Sequence, residues 1–400
     1  MVLDGYFDTD TRLHKEILAL SETDICVHVL SRYDPIYPRF EKRSETLYIH
    51  RLINYQHKWF RRFWQLLESL FLVNWYIQRL LSSIIKTYSI SVVHVHDLPL
   101  FNTAYFLKKR FFLEIVADFH ENYPIDLLVW ISFQKGLKRM LKEYLFNSSK
   151  WFAYEKKTVE RADFIIVTVE EMKHRLMASY PVKQDKFTIF RNTQDVSFLD
   201  QKLNEDIVKK WKEKNIVLYI GGISTESGLL TAVQAMKLID SDLILLIVGA
   251  GDIDYTKELK ALVAELGLNH KVIFEGLKPF SDMLSYIKCS KIGLLPHVDN
   301  EHIQCTTSHK MFQYMLGGLP IISSKTKAFA RIVNDAECGL CFKPVDPSSL
   351  ALVITTLYED RSLYKECSKR AFFAAKEGDY SFLRDKESLV SMYKQIFKNS

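Results

Sequence analysis

The feature that most constrains this chain is a repeated pattern. Short apolar runs each stop at a polar or glycine-rich junction, and longer amphipathic stretches separate them. Parallel strands can be joined only by crossovers long enough to hold a helix, so this alternation is the mark of a parallel sheet wrapped by helices. In the first half, residues 25–30, 92–96, 115–120 and 164–169 read as strands and 13–20 as a helix, while Met1-Val2-Leu3 is too short for an opening strand. In the second half, strands are expected over 216–220, 243–248, 271–274, 291–295 and 320–323, with helices over 227–238 and 308–316. A polar stretch over 194–215, helical around 206–214, separates the two sets. At 400 residues the chain exceeds one ordinary core. The expected fold class is therefore α/β, with two tandem Rossmann-like doubly wound domains facing a cleft. The domains are placed at 1–190 and 191–400, with a last helix near 381–398 crossing back to the N-terminal domain.

Charge narrows the partners. Lys and Arg number 54 against 48 Asp and Glu, a net charge of +6. Over this length that excess does not mark a nucleic-acid binder, so no nucleic acid is expected as partner. It suits an acidic small molecule or an anionic membrane surface. The six cysteines are scattered and no signal peptide opens the chain, which makes a reduced, cytoplasmic setting the expectation. Cys338 and Cys341 form a C-x-x-C without a second metal-binding pair, and Gly339-Leu340 reads as a turn into a strand. The apolar stretch 63–85 carries Gln65, Glu68, Asn74, Gln78 and Arg79, so it is expected as one amphipathic helix rather than a membrane span.

Chemistry-bearing residues gather at strand ends, where open α/β sheets collect ligands. His94, His96 and Asp97 end one strand, and Asp118, His120, Glu121 and Asn122 end the next. Gly221-Gly222 follows a strand, with a helix opening near Gly228, so backbone N–H groups can approach a phosphate there. Thr306, Thr307 and Ser308 precede a helix, where their hydroxyls can cap it and face a second anion site. Lys310 falls in that helix's first turn, where a cation is unfavourable unless something negative binds nearby.

Several segments, in order, resemble the GT-B glycosyltransferases of family 4. Ser308-His309-Lys310-Met311-Phe312-Gln313-Tyr314-Met315-Leu316-Gly317-Gly318-Leu319-Pro320-Ile321-Ile322-Ser323 is similar to that family's donor-site signature. Asp10-Thr11-Arg12-Leu13-His14-Lys15-Glu16 resembles its first-helix motif, and His94-Val95-His96-Asp97 and Asp118-Phe119-His120-Glu121-Asn122-Tyr123-Pro124 resemble two strand ends. Arg191-Asn192-Thr193-Gln194-Asp195, Tyr219-Ile220-Gly221-Gly222 and Val248-Gly249-Ala250-Gly251 complete the set. The resemblance implies transfer of a sugar from a nucleotide diphosphate sugar to a glycan or lipid-linked acceptor, with retention at the anomeric carbon. It implies no metal or other cofactor, because helix N-termini and basic side chains carry the charge of the leaving diphosphate. His120 and Lys310 would be the catalytic residues. Gly221, Gly222, Ser227, Gly249, Pro296, Thr306, Thr307, Ser308 and Gln313 would line the donor, and His96, Asp97 and Glu121 the acceptor side.

Three positions depart from the family pattern. Gly222 and Ser227 stand where cations are common, and Gln313 stands where a Glu usually receives the ribose hydroxyls. Lys278, Lys325 and Lys327 are candidate replacements. The alternative these departures motivate is a catalytically silent subunit that positions a partner transferase. The stretch Tyr55-Gln56-His57-Lys58-Trp59-Phe60-Arg61-Arg62-Phe63-Trp64, together with Lys135, Lys138, Arg139 and Lys142, suits contact with a membrane surface at its inner face.

Overall fold

The computed structural model describes residues 1–52, 57–132 and 148–399. Tyr55, Gln56, Lys135, Lys138, Arg139 and Lys142 lie outside the described residues. The chain divides into two compact units, Met1–Arg191 with Asp385–Ser400, and Asn192–Arg384.

In the first unit, strands β1 (Val27–Arg32), β2 (Phe40–Lys42) and β3 (Leu47–Leu52) form one ladder, in the order β1-β3-β2. Strands β4 (Val92–His96), β5 (Glu114–Phe119), β6 (Phe164–Val167) and β7 (Phe187–Ile189) form a second, all parallel. Val2 bridges Leu30 of β1 and Val95 of β4. The opening residues, too short for a strand by sequence, thus hold a strand's place at a single buried position. Strands β2, β3 and β7 were not anticipated, because their partly exposed residues form no long apolar run.

Helix α1 (Thr11–Leu20) follows, capped by Asp10, whose side chain accepts from the N–H groups of Arg12 and Leu13. The single helix expected over 63–85 is two helices, α2 (Lys58–Phe71) and α3 (Trp75–Tyr88). The polar residues within the stretch account for the break. Leu72 turns left-handed at φ 58°. Asn74 accepts from the N–H of Ile77 to cap α3, and its side-chain N–H donates to the buried Glu68 at 2.9 Å.

The second unit is built on β8 (Asn215–Ile220), β9 (Leu243–Val248), β10 (Val272–Gly276), β11 (Ile292–Leu295), β12 (Ile321–Ser324) and β13 (Gly339–Phe342). They form one six-stranded sheet in the order β10-β9-β8-β11-β12-β13, and every pairing is parallel. The strands are mostly apolar, β9 (Leu-Ile-Leu-Leu-Ile-Val) along its whole length, because helices cover both faces. Strand order reverses between β8 and β11, which opens a crevice at their carboxyl ends. Helix α4 (Leu229–Leu238) begins two residues later than expected, because Thr225–Ser227 is a 3-10 turn. Helix α5 is His309–Leu316 and helix α6 is Phe382–Asn399. Gly339, expected in a turn, lies inside β13, where a Cβ would come within 1.8 Å of the Ile321 carbonyl. The Cys341 thiol meets the Ser323 hydroxyl at 3.5 Å. Among the described residues no helix is long and apolar enough to cross a membrane.

Candidate active site

The switch point of the second unit is shaped by backbone approaches that only glycine permits. Gly221 ends β8 at φ 142°, and its N–H donates to Val248 O at 2.9 Å. A Cβ on Gly249 would lie 1.9 Å from Gly221 O, and one on Gly228, at φ 68°, would lie 1.7 Å from Pro296 O. Pro296 and Gly249 therefore act as walls that bring three loops together. Gly222, by contrast, is exposed and has open space around it.

Lys310, in the first turn of α5, reaches this point. Its ammonium donates to Tyr219 Oη at 3.2 Å and lies 4.3 Å from the centre of that ring. Tyr219 passes the interaction on by donating to Gly222 O at 2.6 Å. A Cβ on Gly221 would sit 2.8 Å from the Lys310 ammonium, so the glycine leaves room for the cation. Burial pulls the Lys310 pKa down to about 7, and no carboxylate among the described residues pairs with it. An ammonium set beside a glycine loop and a helix N-terminus has the chemistry to pair with an anionic group. Nearby, His297 stacks on Phe329 with ring centroids 5.0 Å apart, and its Nδ1 is buried without a partner. Burial holds its pKa well below the ordinary histidine range, and the Lys310 charge adds to that.

Several assigned roles change. Ser308 takes the N-cap position of α5 with no side-chain capping bond, so capping by hydroxyls does not occur. The Thr306 hydroxyl faces Thr307 O at 3.4 Å, whereas the Thr307 hydroxyl is buried and unpartnered. Ser227 is buried and donates to Ser224 O at 2.5 Å, which commits its hydroxyl to the 3-10 turn. Gln313 is buried, and its side-chain N–H donates to Gln194 at 3.3 Å. Lys278 pairs with Glu275 at 3.5 Å, so it does not replace a missing donor-site cation.

In the first unit, the ends of β4 and β5 meet α1 in a buried polar cluster. Asp118 is its hub. Arg12 holds both of its oxygens, Nη2 to Oδ1 at 2.8 Å and Nε to Oδ2 at 3.3 Å. His120 Nε2 meets Oδ2 at 2.8 Å. Burial opposes charge on Asp118, but Arg12 and then His120 outweigh it and hold the carboxyl well below the ordinary range. Burial likewise opposes charge on His120, yet Asp118 and Asp97 raise its pKa. His120 Nδ1 lies 3.4 Å from Asp97 Oδ1. Asp97 holds φ 66°, a strained value for a residue other than glycine. His96 is buried and meets His120 at 3.2 Å, so it supports that ring and has no surface to offer an acceptor. Glu121 is half-buried beside it.

Arg12, Glu16, Asp118, His94 and Tyr393 were read only as motif residues or not at all. Tyr393 of α6 contacts His94 Nδ1 at 2.9 Å. The motif Asp10-Thr11-Arg12 held the available signal, since a cation two residues past an N-cap needs a buried partner. Tyr219 was read only within its strand-end motif, because nothing in sequence distinguishes its side chain from a core aromatic.

The family model described as "Glycosyl transferases group 1" matches residues 200–372, and the one described as "Glycosyltransferase Family 4" matches residues 11–198. An uncharacterized glycosyltransferase of Methanocaldococcus jannaschii is 23% identical over 46% of this chain and 50% of its own length. The capsular polysaccharide biosynthesis glycosyltransferase CapM of Staphylococcus aureus is 23% identical over 62% of this chain and 66% of its own. The match thus spans between half and two-thirds of these curated relatives. Among solved structures, sucrose-phosphate synthase from Thermosynechococcus elongatus superposes with a TM-score of 0.74, 18% identity and coverage of 97% of this chain and 93% of the other. A glycosyltransferase from Rickettsia africae gives 0.74 and 16%, covering 100% and 98%. HepE from Anabaena, in complex with UDP, gives 0.71 and 13%, covering 98% and 99%.

Proposed function

Because the chain belongs to the GT-B glycosyltransferases of the group 1/family 4 type, we propose that it transfers a sugar from a nucleotide diphosphate sugar to a glycan or lipid-linked acceptor, retaining anomeric configuration. The observation that carries this reading is Lys310, an ammonium with no carboxylate partner among the described residues, beside Gly221 at the switch point of the second unit. As the bond to the sugar breaks, negative charge grows on the diphosphate. Lys310, the N–H of Gly222 and the N–H groups of the first turn of α5 would stabilise it. A fixed cation that regains its proton on binding supplies that stabilisation without a resident metal. His120, oriented by Asp118, would donate a hydrogen bond on the sugar side. The UDP bound by HepE makes uracil the first base to try, and the name of CapM suggests polysaccharide assembly.

The acceptor side carries a second element. Trp59, Phe63, Leu66 and Leu70 of α2 follow a helical spacing and are all exposed, from 41% to 72%, with Lys58 and Arg62 exposed among them. Such a face suits peripheral attachment to an anionic bilayer, where lipid-linked acceptors reside.

A thermal-shift screen against UDP, GDP, ADP and their sugar conjugates tests the donor. The expected result is a rise in melting temperature with one base, lost in Lys310→Met. No rise with any of them would overturn the proposal. Sedimentation with phosphatidylglycerol vesicles, weakened in a Trp59→Ala/Phe63→Ala double variant, tests the membrane face. Equal sedimentation of the two proteins would remove that part of the reading.

A further inference from the structure

The residue that follows β4 sits on a backbone few side chains tolerate. Asp97 holds φ 66° with ψ 149°, close to a region that glycine alone occupies freely. Its N–H donates to Asp118 O at 3.1 Å, so the exit of β5 helps to fix this turn. The backbone itself would be served best by glycine, with no side chain at all. A carboxylate kept there against strain points to a task for that carboxylate.

Exposure separates Asp97 from the buried acids at this end of the sheet. The side chains of Glu16 and Asp118 are 0% exposed, whereas that of Asp97 is 48% exposed. Its neighbour His120 has both nitrogens engaged. Nε2 meets Asp118 Oδ2 at 2.8 Å, and Nδ1 lies 3.4 Å from Asp97 Oδ1. The two carboxyls favour a hydrogen on each nitrogen, and a ring in that state donates and cannot serve as a base. The Nδ1 contact is loose for a hydrogen bond. A sugar oxygen arriving at His120 can take over that hydrogen and leave Asp97 as a bare carboxylate beside it.

The surroundings also set its basicity. Partial burial pushes the Asp97 carboxyl up to about 6; Glu121, Asp118 and Asp10 add to the rise, and His120 opposes it. Tyr123 faces the same group, and burial pushes its phenol up, so it stays uncharged. A carboxyl titrating there is ionised at neutral pH and still basic enough to receive a proton.

We propose that Asp97 is the general base of the transfer, receiving the proton of the attacking hydroxyl. This rests on the transfer reading above and extends it to the acceptor. The hydroxyl oxygen forms the new bond to the anomeric carbon as its O–H bond breaks. The bond from that carbon to the diphosphate breaks, and its electron pair leaves on the diphosphate. The proton ends on a carboxylate oxygen of Asp97. Water entering in place of the acceptor loses its proton to the same oxygen.

The test therefore needs no identified acceptor. Its probe is whichever of UDP-glucose, GDP-mannose and ADP-glucose raises the melting temperature of the 400-residue chain, with water as acceptor and release of the nucleotide diphosphate as the signal. Asp97→Asn is expected to slow release by about a hundredfold or more, while the thermal shift given by the probe is kept. With the probe saturating, release by the natural chain should fall as pH drops through about 6, and Asp97→Asn should lack that limb. Asp97→Gly separates task from scaffold, because it should melt no lower than the natural chain once the strain is relieved. Release by Asp97→Asn within threefold of the natural rate overturns the proposal, as does a lower melting temperature for Asp97→Gly. A probe that binds the natural chain without any release overturns it too, and leaves donor binding standing. Absence of a thermal shift with all three probes instead removes the transfer reading, and the base with it.

Discussion

Consider nucleotide-sugar binding at pH 8, followed by its proton balance. In the free protein Lys310 titrates near 7 rather than 10.5, so at pH 8 only about one molecule in ten carries its charge. A diphosphate bound against the ammonium restores the charged form, and binding should take up about 0.9 proton from solvent. The displaced pKa corresponds to at most about 5 kcal/mol of disfavoured charge, less because part of the side chain reaches water. That energy becomes available to a bound anion. The sign for folding runs the same way. Between about pH 7 and 10.5 the unfolded chain holds this proton and the folded chain does not, so Lys310 makes the fold more stable as pH rises through that window. The assay is calorimetric titration at pH 8 with the nucleotide sugar selected by the thermal-shift screen, repeated in buffers of different ionisation enthalpy. The slope of observed enthalpy against ionisation enthalpy counts protons. A slope near zero in the natural chain, or the same slope in Lys310→Met, would refute the reasoning.

Other outcomes follow from the same geometry. Gly222 has open space around it, so Gly222→Arg should fold normally and tighten diphosphate binding by roughly tenfold or more through a new charge-assisted bond, measured by titration in low salt. Gly228→Ala places a Cβ against the Pro296 carbonyl, which no side-chain motion relieves, and should cost at least about 2 kcal/mol in urea denaturation. Asp118→Ala removes the carboxylate that holds Arg12 at 2.8 Å and leaves Glu16 at 3.3 Å as its remaining acidic neighbour, and should destabilise the first unit by about 3 kcal/mol. The milder Asp118→Asn should fold and lower transfer by about tenfold or more with donor binding intact, because His120 loses its fixed orientation. Acid should also unfold the protein in part through Asp118. Its pKa is depressed in the folded state, so its contribution is present above the ordinary carboxylate range and disappears as pH falls below it, as a melting series from pH 6 to 3 would record.

The alternation of apolar runs and amphipathic stretches was sufficient to place every strand of the second unit except β13, because buried parallel strands are apolar on both faces. Gly221 and Gly249 were also visible as strand-end punctuation and Gly228 as the opening of a helix, although not the close contacts that require them. The half-exposed strands β2 and β3 carry no such signal, and the break between α2 and α3 depends on Asn74 finding Glu68. Side-chain partnership is where sequence stopped. Nothing local to residue 310 says that its ammonium will lie on Tyr219, 91 positions earlier, or that Arg12 will meet Asp118, 106 positions later. Residue type and spacing follow from local backbone geometry, which the chain carries everywhere along its length. Charge state and pairing depend on which groups the folded core removes from water together, and only the tertiary structure decides that.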